Sequence, residues 1–395
     1  MRPPYLLLLA LALLPACMSA KSESVAAGGR GAAEMAPRAG FVAGDQAAPS
    51  GLRAGDTDDN ARFGEYQDYL ARYRGDAVLA VDVSERVFVH VLDRRERPVL
   101  AASVEIESAG EVVARARTGA DGRTVFFPSA LAERDPRGAF SVRARHGALE
   151  ARASFVRGAV ADWALVLPGD VDPPAPPSVE LAFCLDATGS MGDEIARVQA
   201  TLRDVARRIS RLPARPTVRW GLVAYRDQGD EYVYRRWKMT TDTDAFVANL
   251  AEVSAGGGGD YREALNEGLY RVVRDLDWDD DRAVRLVFLV ADAPPQLDRQ
   301  YETPYTESIR LARELGIKLY PIAASGLDPA GEYVMRQLAQ QTLARFLFIT
   351  YGGQTPHSVT GFAENDLDTL IVSTVERELA SLGKPRATLT QEPRQ

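Results

Sequence analysis

Three carboxylate-bearing turns each follow an apolar strand-like run. The first, Asp186-Ala187-Thr188-Gly189-Ser190, follows Val179–Leu185. The second is Gly256-Gly257-Gly258-Gly259-Asp260, and the third is Asp292, which closes Leu286-Val287-Phe288-Leu289-Val290-Ala291. Carboxylates and hydroxyls are hard oxygen donors. Mg²⁺ takes about six oxygens in near-octahedral array and keeps several waters. Asp186, Thr188 and Ser190 alternate along the chain, so an extended turn points all three side chains one way. The glycine run allows backbone to approach an ion closely. A competing reading is helix capping, since Ser, Thr and Asp are favoured at helix starts. It applies to Asp186–Ser190 and to Asp260 before Arg262-Glu263-Ala264, and Asp292 can equally end a strand. Capping explains such residues one at a time, not three turns together.

The elements around these turns alternate. Val179–Leu185 is almost wholly apolar, as a strand buried on both faces must be. Ile195, Val198, Leu202, Val205, Ile209 and Leu212 recur in threes and fours and predict an amphipathic helix. Strands are predicted at 220–225, 284–291, 317–324 and 345–350, with a charged edge strand at 232–239. Helices are predicted near 243–254, 262–275, 303–315, 329–342 and 366–382. This order implies an α/β fold, a doubly wound, mostly parallel sheet with helices on both faces. Ligands of such sheets bind beyond the carboxyl ends of the strands, where the three turns would meet.

From 84 to 168 the period is two. Val104 and Ile106 alternate with Glu105 and Glu107, and Phe140 and Val142 with Ser141 and Arg143. Asp121-Gly122 marks a tight turn. A small all-β sandwich is expected there. Pro168–Pro177 reads as a semi-rigid proline-rich spacer.

Asp-x-Thr-x-Ser between a buried strand and an amphipathic helix resembles the von Willebrand factor A domain and its metal-ion-dependent adhesion site. Gly189-Ser190-Met191-Gly192 and Gly221-Leu222-Val223-Ala224-Tyr225-Arg226-Asp227, with Asp230 after it, resemble a bacterial branch of that family. The resemblance covers about 178–385. It implies that Asp186, Thr188, Ser190 and Asp292 hold Mg²⁺, with Mn²⁺ or Ca²⁺ as alternatives. The family often places a threonine on the middle turn; that position falls at Gly259 here, and Asp260 stands in, directly or through water. The resemblance further implies that an Asp or Glu of a protein partner completes the coordination. The stretch Val91-Leu92-Asp93, Arg97-Pro98-Val99, Val104 and Thr118–Arg123 resembles the carboxypeptidase-regulatory-like, transthyretin-like sandwiches, which implies a spacer or adhesion module.

Arg2 and the apolar Tyr5–Leu14 form a signal-peptide pattern too short to span a bilayer. Leu14-Pro15-Ala16-Cys17 resembles a bacterial lipoprotein cleavage box, which makes Cys17 the lipidated first residue; secretion with cleavage near Ala20 is the alternative. Met18 after Cys17 gives no inner-membrane retention signal of the aspartate type, so an outer-membrane envelope location is preferred. Cys184 lies in an apolar run and reads as a small buried hydrophobe. The layout expected is a signal peptide over 1–16, a disordered tether over 17–60, a short helix over 61–80, a β-sandwich over 84–168, a linker over 169–177, the α/β domain over 178–385 and a tail over 386–395.

The net charge of −8 argues against a nucleic-acid partner, which calls for basic patches. The three histidines, His90, His146 and His357, lie away from the turns in sequence. No Gly-x-Ser-x-Gly elbow is present, and no Lys-Ser/Thr follows the glycine run, so a P-loop is rejected. The acidic group at Asp275, Asp277, Asp279, Asp280 and Asp281 lacks the ligand order of an EF-hand. The expected function is metal-dependent protein binding by a membrane-anchored, non-enzymatic module, in adhesion or envelope-complex assembly. A metal-assisted hydrolase and a metal-independent envelope scaffold are the alternatives.

Overall fold

A computed structural model describes residues 51–131, 138–259, 261–278, 281–297 and 303–384. The signal peptide, Cys17, tether residues up to 50, Asp260 and the tail from 386 lie outside them. Residues Pro49–Gln395 form one compact unit.

The chain enters as strand β1 (Arg53–Thr57), followed by helix α1 (Phe63–Arg72). β1 lies inside the stretch expected to be a tether, so order begins earlier than the sequence suggested. RAGDT carries no strand period. It becomes a strand by pairing with a neighbour.

β2 (Val87–Leu92), β3 (Ser103–Ser108), β4 (Glu111–Arg117), β5 (Arg123–Phe126), β6 (Ala139–His146), β7 (Leu149–Val156) and β8 (Asp162–Val166) follow. They form a three-stranded sheet, β5-β2-β8, and a four-stranded sheet, β4-β3-β6-β7. Alternate residues turn inward and share one core that includes Val89, Val104, Ile106, Phe140, Val142, Trp163 and Leu165. Phe155 stacks on Trp163 with ring centres 4.8 Å apart. The proline-rich segment does not stand free as a spacer. Arg94 reaches Asp170 at 3.2 Å and Arg97 the Val171 carbonyl at 3.1 Å, laying it along the sandwich.

The α/β part runs β9 (Ser178–Asp186), α2 (Gly192–Ile209), β10 (Thr217–Tyr225), β11 (Tyr234–Thr240), α3 (Thr243–Ala251), α4 (Leu265–Arg274), β12 (Ala283–Ala291), α5 (Tyr305–Leu315), β13 (Ile317–Ala323), α6 (Pro329–Gln341), β14 (Phe346–Ile349), β15 (Asn365–Asp366) and α7 (Leu367–Ser381). One sheet of eight strands has the order β11-β10-β9-β12-β13-β14-β1-β15. The five strands from β10 to β14 are parallel, and β11, β1 and β15 are antiparallel at the margins. Every residue of β9 and β12 is buried, because helices cover both sheet faces. α2 packs with α3 and α7, and α5 with α4 and α6.

Chain order reverses between β9 and β12. β9 is followed by β10 on one side, and the chain then crosses over to β12 on the other. That reversal opens a crevice at the carboxyl ends of these two neighbouring strands. Asp186 ends one and Asp292 follows the other, so the topology places the two carboxylates at the crevice. The sandwich is keyed to this sheet by ion pairs. Lys318 on β13 bonds Glu378 on α7 at 2.8 and 2.9 Å and lies 3.9 Å from Asp121, while Arg117 meets Asp281 at 2.5 Å. No helix among the described residues is long and apolar enough to cross a membrane.

Candidate metal centre

Asp186 is fully buried. Its Oδ1 accepts from the Thr188 backbone N–H at 2.9 Å and from the Thr188 hydroxyl at 2.6 Å, and its Oδ2 accepts from the Tyr225 hydroxyl at 3.2 Å. Thr188 is also buried, and its Oγ1 lies 3.1 Å from Ser190 Oγ. Ser190 faces solvent. Ser190 is near enough to Asp292 to oppose the rise of its carboxyl pKa, and Asp292 Oδ1 is buried without a partner. Asp186, Thr188 and Ser190 therefore form one hydrogen-bonded chain that runs from the interior to the surface, and Asp292 lies beside its outer end. The fifth expected donor, Asp260, lies outside the described residues.

The N-cap reading does not describe the first turn. Thr188 makes no side-chain capping bond to the short helical turn that begins at Gly189, and the Met191 N-cap of α2 makes none either. Asp186 instead accepts from the turn that follows its own strand.

The glycine run is held against this turn. Gly189 N–H donates to the Gly257 carbonyl at 3.1 Å, and Gly258 N–H to Asp230 Oδ2 at 2.9 Å. Gly257 has a φ of +75°, and a Cβ there would collide with the Asp230 carboxylate. Only glycine meets both demands. Arg226 fastens the underside, donating from Nε to the Ala187 carbonyl at 3.2 Å and from Nη2 to the Ser254 carbonyl at 2.9 Å. It pairs with Glu231 at 3.3 Å. Tyr225 and Arg226 thus position the site, one through Asp186 and the other through the loops.

Two acidic side chains join the site without a local sequence signal. Glu263 precedes α4, and its backbone pairs with the loop after Asp292: its N–H donates to Pro294 O at 3.1 Å, and Gln296 N–H donates to its carbonyl at 3.2 Å. The Glu263 side chain is 3% exposed, and its Oε2 has no partner. A methyl-sized point on Gly258 would lie 3.0 Å from Glu263 Oε1 and 3.4 Å from Thr188 Cβ, so the carboxylate borders the first turn. Glu194, on the first turn of α2, accepts from Ser325 and Tyr351 hydroxyls at the ends of β13 and β14, and its Oε2 is unpartnered. The predicted helix from 262 hid Glu263, because α4 begins only at Leu265.

Electrostatics follow from this crowding. Burial pushes Asp186 up to about 7, with the Asp292 charge adding and the Thr188 and Tyr225 hydrogen bonds opposing. Burial also raises Asp292, with Glu194 adding and Ser190 opposing. Glu263 is pushed up to about 8 by burial, then by Asp186 and the neighbouring Asp227, Asp230 and Asp292. No cation stands among these leading causes. Partnerless buried oxygens, crowded carboxyls and an exposed hydroxyl at the surface fit a divalent cation with oxygen ligands. Among the described residues, no group of three or more His, Cys, Asp and Glu side chains forms a metal cage. The oxygens present at the turn are the Thr188 and Ser190 hydroxyls beside the Asp186 carboxylate.

The remaining groups singled out in the sequence serve packing or ion pairing. Asp275 pairs with Arg271 at 2.8 Å, and Asp281 with Arg117; Asp279 and Asp280 lie outside the described residues. Cys184 is buried, and burial raises its thiol pKa. His90 bonds Asp162 at 2.6 Å within the sandwich, and His357 lies 3.6 Å from Glu332. Trp220 stacks on Phe246 with ring centres 5.1 Å apart.

Residues 180–313 match the sequence profile of the von Willebrand factor A domain. Over 87 residues, 22% of this chain, the sequence is 38% identical to von Willebrand factor A domain-containing protein 7 of Rattus norvegicus, and to the same degree to that of Homo sapiens. The shared stretch is 9% of those proteins' length. Proximal thread matrix protein 1 from the mussel byssus overlays with a TM-score of 0.37 at 12% identity, covering 52% of this chain and 46% of its own. The pilus adhesin SpaC from Lactobacillus rhamnosus GG gives 0.39 at 11% identity, covering 62% and 34% respectively. Asp186, Ser190 and Asp292 all fall within the residues that match the von Willebrand factor A profile.

Proposed function

We propose that this protein recognises another protein through a divalent cation at the β9/β12 crevice. Domains of this kind generally mediate protein interaction or adhesion, which supports the reading. The observation that carries it is the path from partnerless Asp292 Oδ1 to the exposed Ser190 hydroxyl. Ser190, Thr188 and Asp292 would hold Mg²⁺, and Asp186 would orient Thr188 from behind. Asp260 is a further donor from the middle turn. A bound divalent ion supplies a positive centre that accepts a partner's Asp or Glu carboxylate. Tyr261 and Tyr351, both exposed aromatics, flank the edge. The Tyr261 hydroxyl donates to the Gly326 carbonyl at 2.7 Å, and that of Tyr351 to Glu194. Rings tied down by their hydroxyls and open on a face suit a protein interface.

In this reading Cys17 carries the lipid, 17–50 tethers the compact unit to the bacterial envelope, preferably the outer membrane, and the two small sheets form a spacer of the carboxypeptidase-regulatory-like type. The test is a pull-down from envelope extract with Mg²⁺, with EDTA, and with an Asp186→Ala variant, beside calorimetry of each protein with Mg²⁺. A partner retained only by the parent protein in Mg²⁺ is the expected result. Equal recovery in all three samples, or no heat of Mg²⁺ binding, would sink the reading.

A further inference from the structure

The helix that leaves the metal loop has a second face of opposite character. Ile195, Val198, Leu202, Val205 and Ile209 of α2 are buried against the sheet. Arg197, Arg203, Arg207 and Arg211 fall on the far side, within an arc of about 120° at 3.6 residues per turn. Arg211 sits in the turn that continues α2, its N–H donating to the Arg208 carbonyl at 3.1 Å. The row is roughly 20 Å long. Arg203 is half-buried, and the other three are exposed.

Guanidinium groups elsewhere in the molecule commonly meet carboxylates: Arg271 meets Glu267 and Asp275, Arg310 meets Glu307, and Arg336 meets Asp59. None of the four on this row has an ion pair among the described residues, nor has the exposed Arg215 beyond them. Arg208 alone is bonded, to Asp368 on α7. Between α2 and α7 lies an open cleft of about 740 Å³, lined by Arg207, Arg208 and Arg211 together with the carboxylates Asp204 and Glu376, so the arginine row remains positive in balance with one acid, Asp204, on its own face. In a chain of net charge −8, this concentration of unpaired positive charge calls for an anionic partner.

We propose that the arginine face of α2 docks on anionic phospholipid headgroups. The planar guanidinium fork matches phosphate oxygens two at a time, and the exposed Arg207 and Arg211 both open onto the cleft. The row carries no large apolar side chain, so it adsorbs without inserting. It carries no aromatic ring either, so it lacks the stacking platform of a single-stranded nucleic-acid site. The metal crevice contributes nothing to this contact, and the two sites fail or stand separately.

The experiment is vesicle flotation of the compact unit, residues 49–395, which lacks the signal peptide and Cys17. Vesicles of phosphatidylglycerol with phosphatidylcholine are compared with phosphatidylcholine alone, at low and high salt, beside binding to a single-stranded oligonucleotide. Binding to the anionic vesicles only, released by high salt, is expected. The Arg203→Gln/Arg207→Gln/Arg211→Gln variant should bind about a hundredfold more weakly, and the matching lysine variant, which keeps the charge and loses the fork, should fall between it and the parent protein. Equal binding to both vesicle types, an unweakened glutamine variant of unchanged melting temperature, or tighter binding to the oligonucleotide would overturn the proposal.

Discussion

Asp186 is a buried carboxyl with three hydrogen-bond donors and no cation among the leading influences on it. Its folded pKa of about 7 exceeds the roughly 3.9 of an exposed aspartate, so the folded state binds the proton more tightly than the unfolded chain. The resulting stability is present in full below about pH 4 and is lost as pH rises through about 7. Glu263, pushed up to about 8, carries the same loss further. Melting temperature in EDTA should therefore fall between about pH 5 and pH 8. Asp186→Asn should flatten the fall, and saturating Mg²⁺ should flatten it in the parent protein, where a cation offsets the charge. A melting temperature that is flat or rising over that range in EDTA would contradict raised Asp186 and Glu263 carboxyls. Asp186, Thr188, Ser190 and Asp292 were legible in the sequence, because oxygen-bearing side chains just beyond apolar runs are local facts. The Tyr225 hydroxyl on Asp186 was not, since it reaches across from the neighbouring strand.

The glycine run is the element whose backbone matters most. Gly257 requires a positive φ and sits against Asp230, whereas Gly259 has neither a positive φ nor any atom within 4 Å of its would-be Cβ. Gly257→Ala should destabilise the protein by about 1–3 kcal/mol and weaken metal binding, through strain and displacement of Asp230. Gly259→Ala should change stability by under about 0.5 kcal/mol. Thermal unfolding and calorimetry of the two variants side by side check this, and equal effects would remove the assigned role of Gly257. Helix α2 lies where its three-and-four spacing of apolar residues placed it, and α5, α6 and α7 fall within two residues of their predicted ranges. α4 starts three residues later than predicted, because Glu263 pairs its backbone with the Asp292 loop instead of opening the helix.

Across the whole molecule, the N-terminal segment closes the sheet. β1 lies between β14 and β15, and Asp59 just after it meets buried Arg336 at 2.7 and 2.9 Å. Removing one partner of a buried ion pair costs about 3–5 kcal/mol, and loss of β1 also bares the edge of β14. A protein beginning at residue 61 should therefore melt well below one beginning at residue 49, and should aggregate more. Indistinguishable melting curves would show that β1 is dispensable. By itself the sequence determined the alternation of strands and helices, the two-residue period of the small sheets and the oxygen-rich turns, since each is written in the side chains of a few consecutive residues. Tertiary structure alone decided that β9 lies beside β12, that RAGDT becomes a strand, and that Glu263 approaches Thr188. Those outcomes are contacts between residues distant along the chain, selected by packing and backbone pairing that no local pattern encodes.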